Sequence, residues 1–170
     1  MTAQEARLHI RYSGWASRKL MEAAAGNLTE EQRTRPLNVS HKSLQQTLAH
    51  VYFADSVWYT RTVDPSLPVP SPDSRPTMES LMADWPDLQR KWEAWADSIS
   101  DAGLERVAQF KLLNGTPGEL PVWQIVNHLV NHATLHRGQV VAMMRQLGAK
   151  PPATDILYYY RELKAAASAQ

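Results

Sequence analysis

The sequence predicts an all-α fold built on four long helices. Apolar residues recur at steps of three and four over long segments, the spacing that lines one face of a helix. Proline-rich and glycine-containing stretches separate these segments. Because 170 residues are about the size of one domain and can bury a core, we expect a single domain over residues 1–170.

The helix ends follow from capping and breaking residues. The predicted helices span residues 4–25, 40–63, 77–100, 121–147 and 155–167, the last one short. Thr2 and Ser40 are the predicted N-caps of the first two, and Pro86 should kink or restart the third. Five prolines in residues 64–76 predict an extended surface loop. Turn residues 114–118 between short apolar runs predict a small β-hairpin before the last long helix.

Composition excludes several classes of protein. A formal net charge of +1 gives no electrostatic case for a nucleic-acid partner. No apolar run is long enough to cross a bilayer, and the N-terminus lacks the apolar segment of a signal peptide, so we expect a cytoplasmic protein without a membrane partner. The absence of cysteine excludes disulfides, thiolate metal sites and cysteine nucleophiles.

The fourth long helix carries the chemistry. Its predicted core stripe is Ile125, Leu129, His132, His136, Val140, Met143 and Leu147. Side chains four residues apart on a helix lie about 6 Å apart, so His132 and His136 can direct two imidazoles at one ion. The alternative is a pair of histidines at the edge of the core, each satisfied by polar neighbours. The chain has no HExxH motif, so it lacks the built-in base of the zinc proteases.

A third ligand should come from another helix. His128 continues the four-residue series, but three ligands from one helix cannot close around one tetrahedral ion, so we expect it to pack nearby or face solvent. The candidates elsewhere are His9, His41 and His50. We expect His41, in the first turn of the second helix, to lie at the surface, and His9 falls off its helical stripe. His50 lies in mid-helix but on the flank of the stripe, so periodicity leaves the choice open.

Several segments together resemble the DinB family, the DinB/YfiT-like metalloenzymes. Residues 131–140, NHATLHRGQV, resemble its HxxxHRGQ signature. Residues 11–18, RYSGWASR, resemble its opening Y-x-x-W-A, and residues 43–50, SLQQTLAH, followed by Trp58 and Arg61 resemble its second-helix pattern. Pro151, Pro152 and Asp155 with the run YYYRE at 158–162 match its C-terminal tail. The resemblance covers nearly the whole chain in the family's order.

The resemblance implies a four-helix bundle with an unusual connection order. It also implies one divalent metal per chain, zinc or nickel, held by His50, His132 and His136, and a homodimer. Relatives in the wider superfamily are transferases or isomerases that use low-molecular-weight thiols, so the implied partner is a small-molecule substrate such as a thiol.

The sequence leaves more than one role possible for several residues in and around the signature. Gln139 could orient a ligand ring or a water, or it could be a polar residue at the bundle edge. For Arg137 we expect a solvated helix face rather than a bound anion. Gly138 weakens a helix, which a close helix crossing or access to a metal would explain. Tyr12, Trp15 and Trp58 are candidates for a pocket wall or for the core.

Three hypotheses for function follow. A metal-dependent transferase would activate a thiol or water at an open metal position, with a pocket above the histidines. A non-catalytic metal or small-ligand binding protein would have a fourth protein ligand in place of water. A bundle that mediates association, with incidental histidines, is disfavoured by the resemblance. The proline-rich loop and the hairpin should line the entrance or serve a dimer contact.

Overall fold

The computed structural model describes residues 1–39 and 41–168, which form seven helices and one two-stranded hairpin. In chain order the elements are α1 (Ala3–Asn27), α2 (Glu30–Thr34), α3 (Leu44–Thr62), α4 (Met78–Ser98), α5 (Asp101–Glu105), β1 (Val107–Lys111), β2 (Pro117–Pro121), α6 (Val122–Gln146) and α7 (Ile156–Ala167). The predicted all-α fold with a small hairpin before the last long helix is therefore confirmed.

The N-caps decide where the long helices begin. Thr2 caps α1 through a capping box with Glu5, as predicted. Ser43 caps α3 by accepting a hydrogen bond from the backbone of Gln46, so this helix begins later than predicted; the expected cap, Ser40, lies outside the described residues. Helix α4 runs through Pro86 without a restart. The sequence did not predict the short helices α2 and α5, because five residues are too few to show a helical period.

Four of the helices form the bundle. α1 packs mainly against α4 and α6, and α3 packs against the same two helices. The first two long helices therefore stand diagonally across the bundle instead of side by side, which is the unusual connection order that the resemblance implied. Helices α3 and α6 pack directly together, so residues on their facing sides can meet.

The C-terminal helix α7 is held against α1. Tyr159 is buried, and its ring lies 5.3 Å from Trp15 and 6.0 Å from Tyr12 between centroids. The indole N–H of Trp15 donates to Glu162 at 2.7 Å, and Lys19 pairs with the same carboxylate. These contacts of the C-terminal motif hold α7 against α1.

A carboxylate of α3 fastens that helix to α4. Trp85 donates its indole N–H to the Asp55 carboxylate at 3.0 Å, and Trp92 donates to the Asp55 backbone carbonyl at 3.2 Å. Burial raises the pKa of Asp55 to about 7, although the Trp85 hydrogen bond and the Arg137 charge oppose that rise. Both indole N–H groups donate to the same residue, which fixes the position of α4 along α3.

In the described part of the chain, no helix combines the length and apolar character needed for a bilayer crossing. The cytoplasmic location and the homodimer stay predictions.

Arg137 is buried, which corrects the expectation of a solvated position. It is 3% exposed, and its guanidinium donates to the Ser13 backbone carbonyl and to the hydroxyls of Ser13, Ser17 and Thr134 at 2.8 to 3.3 Å. The Cζ atom of the same guanidinium lies 5.3 Å from the centroid of the Tyr12 ring. Burial lowers the pKa of this guanidinium, partly offset by Tyr12 and Asp55. The physical reason for the error is position: Arg137 follows the core stripe by one residue, and that side of α6 faces α1.

The Gly138 backbone faces open space. A Cβ built there meets nothing within 4 Å, and the residue is exposed. Neither a close helix crossing nor access to the histidines therefore explains this glycine. Gly148 differs, because its φ of +84° lies in the left-handed region that ends α6.

Replacing Arg137 should destabilise the bundle strongly. We expect Arg137→Met to lower the free energy of unfolding by about 2–4 kcal/mol, because it leaves the buried Ser17 hydroxyl and the half-buried Ser13 oxygens without this donor. Urea denaturation of the variant beside Arg145→Met, an exposed arginine on the same helix, measures this difference. Equal losses in both variants would contradict the anchoring role.

Replacing Gly138 should stabilise the protein. We expect Gly138→Ala to raise the free energy of unfolding by about 1 kcal/mol, since alanine fits the open space and favours the helix. Gly148→Ala is the matched control and should lower it by about 1 kcal/mol because of its positive φ. Thermal and urea unfolding of both variants give the two signs; a destabilised Gly138→Ala would indicate a contact at this face.

Candidate metal centre

Four imidazoles meet in the groove between α3 and α6. His50 comes from α3, His132 and His136 come from α6, and His41 stands on the turn before α3. We call these four residues the histidine cluster. The Nε2 atoms of His50 and His132 are 3.0 Å apart. The ring centroids of His136 lie 4.5 Å from His132 and 4.6 Å from His50. The three histidines that the resemblance implied as ligands therefore lie side by side.

His41 is part of the cluster, which corrects the expectation that it lies at the surface. Its ring stacks on His50 with 3.8 Å between centroids and 20° between planes, and it lies 5.0 Å from His136. Ligand atoms of His41, His50 and His136 all lie within 4.8 Å of one another, a spacing that could hold a metal ion. Sequence analysis missed this residue because it belongs to a turn, where no periodicity indicates direction.

Gln139 controls the orientation of His136. The Nδ1–H of His136 donates to the Gln139 side-chain oxygen at 2.9 Å, one turn along α6. With Nδ1 protonated, Nε2 keeps its lone pair and is the atom available for coordination. A hydrogen bond of this kind fixes the tautomer and the ring orientation of a metal-binding histidine. Of the two roles weighed for Gln139, the geometry favours orienting a ring.

Burial lowers the pKa values of three imidazoles of the cluster. Desolvation, followed by the neighbouring imidazoles, lowers the pKa of His50 to about 4 and that of His132 to about 3. Desolvation and His136 also lower the pKa of His41. Neutral imidazoles keep a free lone pair, the form in which histidine binds a metal. In a tetrahedral zinc site with bonds of 2.0–2.1 Å, ligand nitrogens lie about 3.3 Å apart, close to the observed 3.0 Å.

The other histidines lie beside or away from the cluster. His128 is exposed, and its ring packs edge-on against Trp58 at 5.3 Å, in line with the expected packing or solvent-facing role. It stands 5.5 Å from the His132 ring. His9 is on α1 and takes no part in the group formed by His41, His50 and His136.

A cavity of about 830 Å³ opens beside the cluster. Of the four imidazoles, His41 and His50 line it, together with Tyr52 and Phe53 of α3. The proline-rich loop and the hairpin turn also contribute, as expected for the entrance; these wall residues are Pro70, Pro72, Arg75, Pro76 and Leu113. This volume suits a small molecule.

Of the two roles left open for Tyr12, Trp15 and Trp58, the structure supports the core, because all three are buried. Tyr12 and Trp15 pack against Tyr159 of α7, and Trp58 packs against Phe110 of the hairpin and His128. Tyr52 and Phe53 line the cavity instead. A consecutive aromatic pair on a helix has no distinctive spacing, so the sequence held no signal for this role.

Comparisons with known proteins agree with this architecture. The chain matches the DinB family over residues 1–165. It is 23% identical over 154 residues to Protein DinB of Bacillus subtilis (strain 168), covering 87% of this chain and 89% of that protein. A crystal structure of a DinB-like protein from Bacillus cereus ATCC 10987 matches with a TM-score of 0.58 and 24% identity, over 84% of this chain and 91% of that one. The structural likeness shows the shared fold.

The family match spans almost the entire chain and includes all four members of the histidine cluster. It also includes the HxxxHRGQ segment on which the resemblance depended. The chain belongs to the DinB family.

Proposed function

We propose that this protein is a metal-dependent enzyme that acts on a small molecule at a divalent metal, zinc or nickel, bound by His50, His132 and His136. The observation that carries the proposal is the convergence of three imidazoles beside a cavity of about 830 Å³. Imidazole donors suit zinc, nickel, copper and iron(II). Three imidazoles leave a coordination position free, as in catalytic zinc sites.

A metal bound there would supply Lewis acidity, which lowers the pKa of a water or thiol and yields a nucleophile at neutral pH. The protein's own residues would do the rest. Gln139 holds His136 in the tautomer that presents Nε2 to the centre of the cluster. The remaining residues of the site shape the cavity.

The cavity wall supports a small molecule with both apolar and polar parts. Tyr52 and Phe53 offer apolar area, and Gln46, Ser56 and Ser80 offer hydrogen-bonding groups. Lys42 and Arg75 add positive charge, and Asp84 adds negative charge at the same wall. A low-molecular-weight thiol with polar substituents fits this description, and water could serve as the alternative nucleophile.

A second candidate function is non-catalytic binding of a metal. His41 favours it, because a fourth imidazole within 4.8 Å of two others could occupy the position that a substrate would need. A site closed by four protein ligands, with no position left for water or substrate, is typical of structural metals. The two functions therefore differ in whether that position opens to a small molecule.

Elemental mass spectrometry on untagged protein tests the metal centre. We expect about one zinc or nickel per chain in the wild type and its loss in His132→Ala, because two remaining imidazoles of the proposed set bind too weakly to survive purification. Gln139→Leu should weaken affinity by about 10- to 100-fold through a loosened His136.

His128→Ala is the matched control, since it removes a neighbouring imidazole outside the proposed set and should keep its metal. Metal-free wild type whose melting temperature does not rise with added zinc or nickel would contradict the proposal. Equal metal content in the His132 and His128 variants would contradict the ligand set.

A further inference from the structure

His41 differs from the other three histidines of the cluster in the backbone element that carries it. The other three imidazoles stand on long helices, where packing holds the backbone. His41 stands on a turn whose next residue, Lys42, has a φ of +63°. The turn is closed by hydrogen bonds from Lys42 N to the Val39 carbonyl and from Ser43 N to the His41 carbonyl. A side chain on such a turn can shift without moving a helix.

The present position of His41 is close to a ligand position. Its ligand atom lies within 4.8 Å of those of His50 and His136, whereas ligands of one tetrahedral zinc lie about 3.3 Å apart. The ring is stacked on His50 with 3.8 Å between centroids, which places it at the cluster. To bind the same ion as His50, the ring has to tilt out of this stack, because an imidazole nitrogen donates its lone pair in the plane of the ring.

His41 also stands on the cavity side of the cluster, as His50 does. His41 and His50 line the cavity, whereas His132 and His136 are not among its lining residues. A molecule in the cavity therefore contacts His41 and His50 before the other two imidazoles. Of these two, only His41 stands on a turn instead of a helix.

We propose that His41 is a fourth, exchangeable metal ligand, which closes the coordination position in the resting protein and leaves it when a small molecule enters the cavity. This inference rests on the metal centre proposed above. Under this proposal, the open site of the enzyme and the closed site of the binding protein are two states of the same metal site. Helix-borne ligands would hold the ion while the turn-borne ligand exchanges.

Cobalt-substituted protein tests the proposal without an activity assay. We expect X-ray absorption to count four imidazoles in the wild type and three in His41→Ala. Competition with a chelator should show metal affinity lowered about tenfold or more in that variant, because a donor is lost. With 2-mercaptoethanol as the probe, the sulfur-to-cobalt absorption band should appear at about tenfold lower thiol concentration in His41→Ala, where no ligand has to leave.

His128→Ala serves as the control and should match the wild type in all three measurements. His41→Gln provides a second variant that keeps volume and polarity at the turn, and circular dichroism checks that each variant is folded. Equal imidazole counts and equal affinities in the wild type and both His41 variants would overturn the role of His41. Four imidazoles that persist in the wild type at saturating 2-mercaptoethanol would overturn the exchange.

These results are separable from failure of the metal centre itself. If neither the wild type nor His128→Ala binds one cobalt per chain, the proposed metal site is wrong and His41 has no ion to serve. If both bind cobalt and His41→Ala binds it equally well, the metal centre stands and the inference about His41 falls.

Discussion

The packing of α3 against α6 is the constraint on which the site depends. It places His50 opposite His132 with 3.0 Å between their Nε2 atoms. Buried imidazoles need partners for their nitrogens, and four rings in one groove supply partners for one another only in part. Burial in this groove, followed by the neighbouring imidazoles, lowers the pKa values of His50 and His132, so these two rings keep their lone pairs at neutral pH. A neutral, convergent set of nitrogens is what a divalent metal requires.

One turn of α6 serves three purposes at once. His136 faces α3, Arg137 faces α1 and donates to its serines, and Gln139 reaches back to orient His136. Gly138 between them faces open space. Because a helix advances 100° per residue, neighbouring residues of the HRGQ segment necessarily contact different parts of the bundle. Arg137 thereby holds α6 to α1 from a side about 100° around the helix from His136, and the signature combines a structural anchor with a candidate metal site.

The site divides between a rigid and an adaptable part. The helices α3 and α6 carry His50, His132 and His136, and their backbone is held by the bundle core. The turn at His41, the proline-rich loop and the hairpin turn supply one part of the cavity wall, and residues of α3 and α4 supply the rest. Loops tolerate changes of sequence and conformation that a packed helix does not. Members of one fold can therefore keep a metal site and vary what reaches it.

Much of the architecture was predictable from the sequence because it depends on local rules. Apolar periodicity located the four long helices, Thr2 marked the start of the first, and turn residues marked the hairpin. Four-residue spacing placed His132 and His136 on one face of α6. The choice of His50 came from the resemblance, since its periodicity was ambiguous.

Only the tertiary structure decided what lies across from each face. Periodicity gives the direction of a side chain around its own helix but not the helix it meets, so Arg137 was expected in solvent and is buried against α1. His41 has no helix to give it a direction, and its place beside His50 follows from how the preceding turn folds. The sequence by itself determined the helices and the imidazole pair, because these depend on neighbours in the chain. The four-membered cluster and its cavity depend on contacts between distant segments, which only the packed bundle creates.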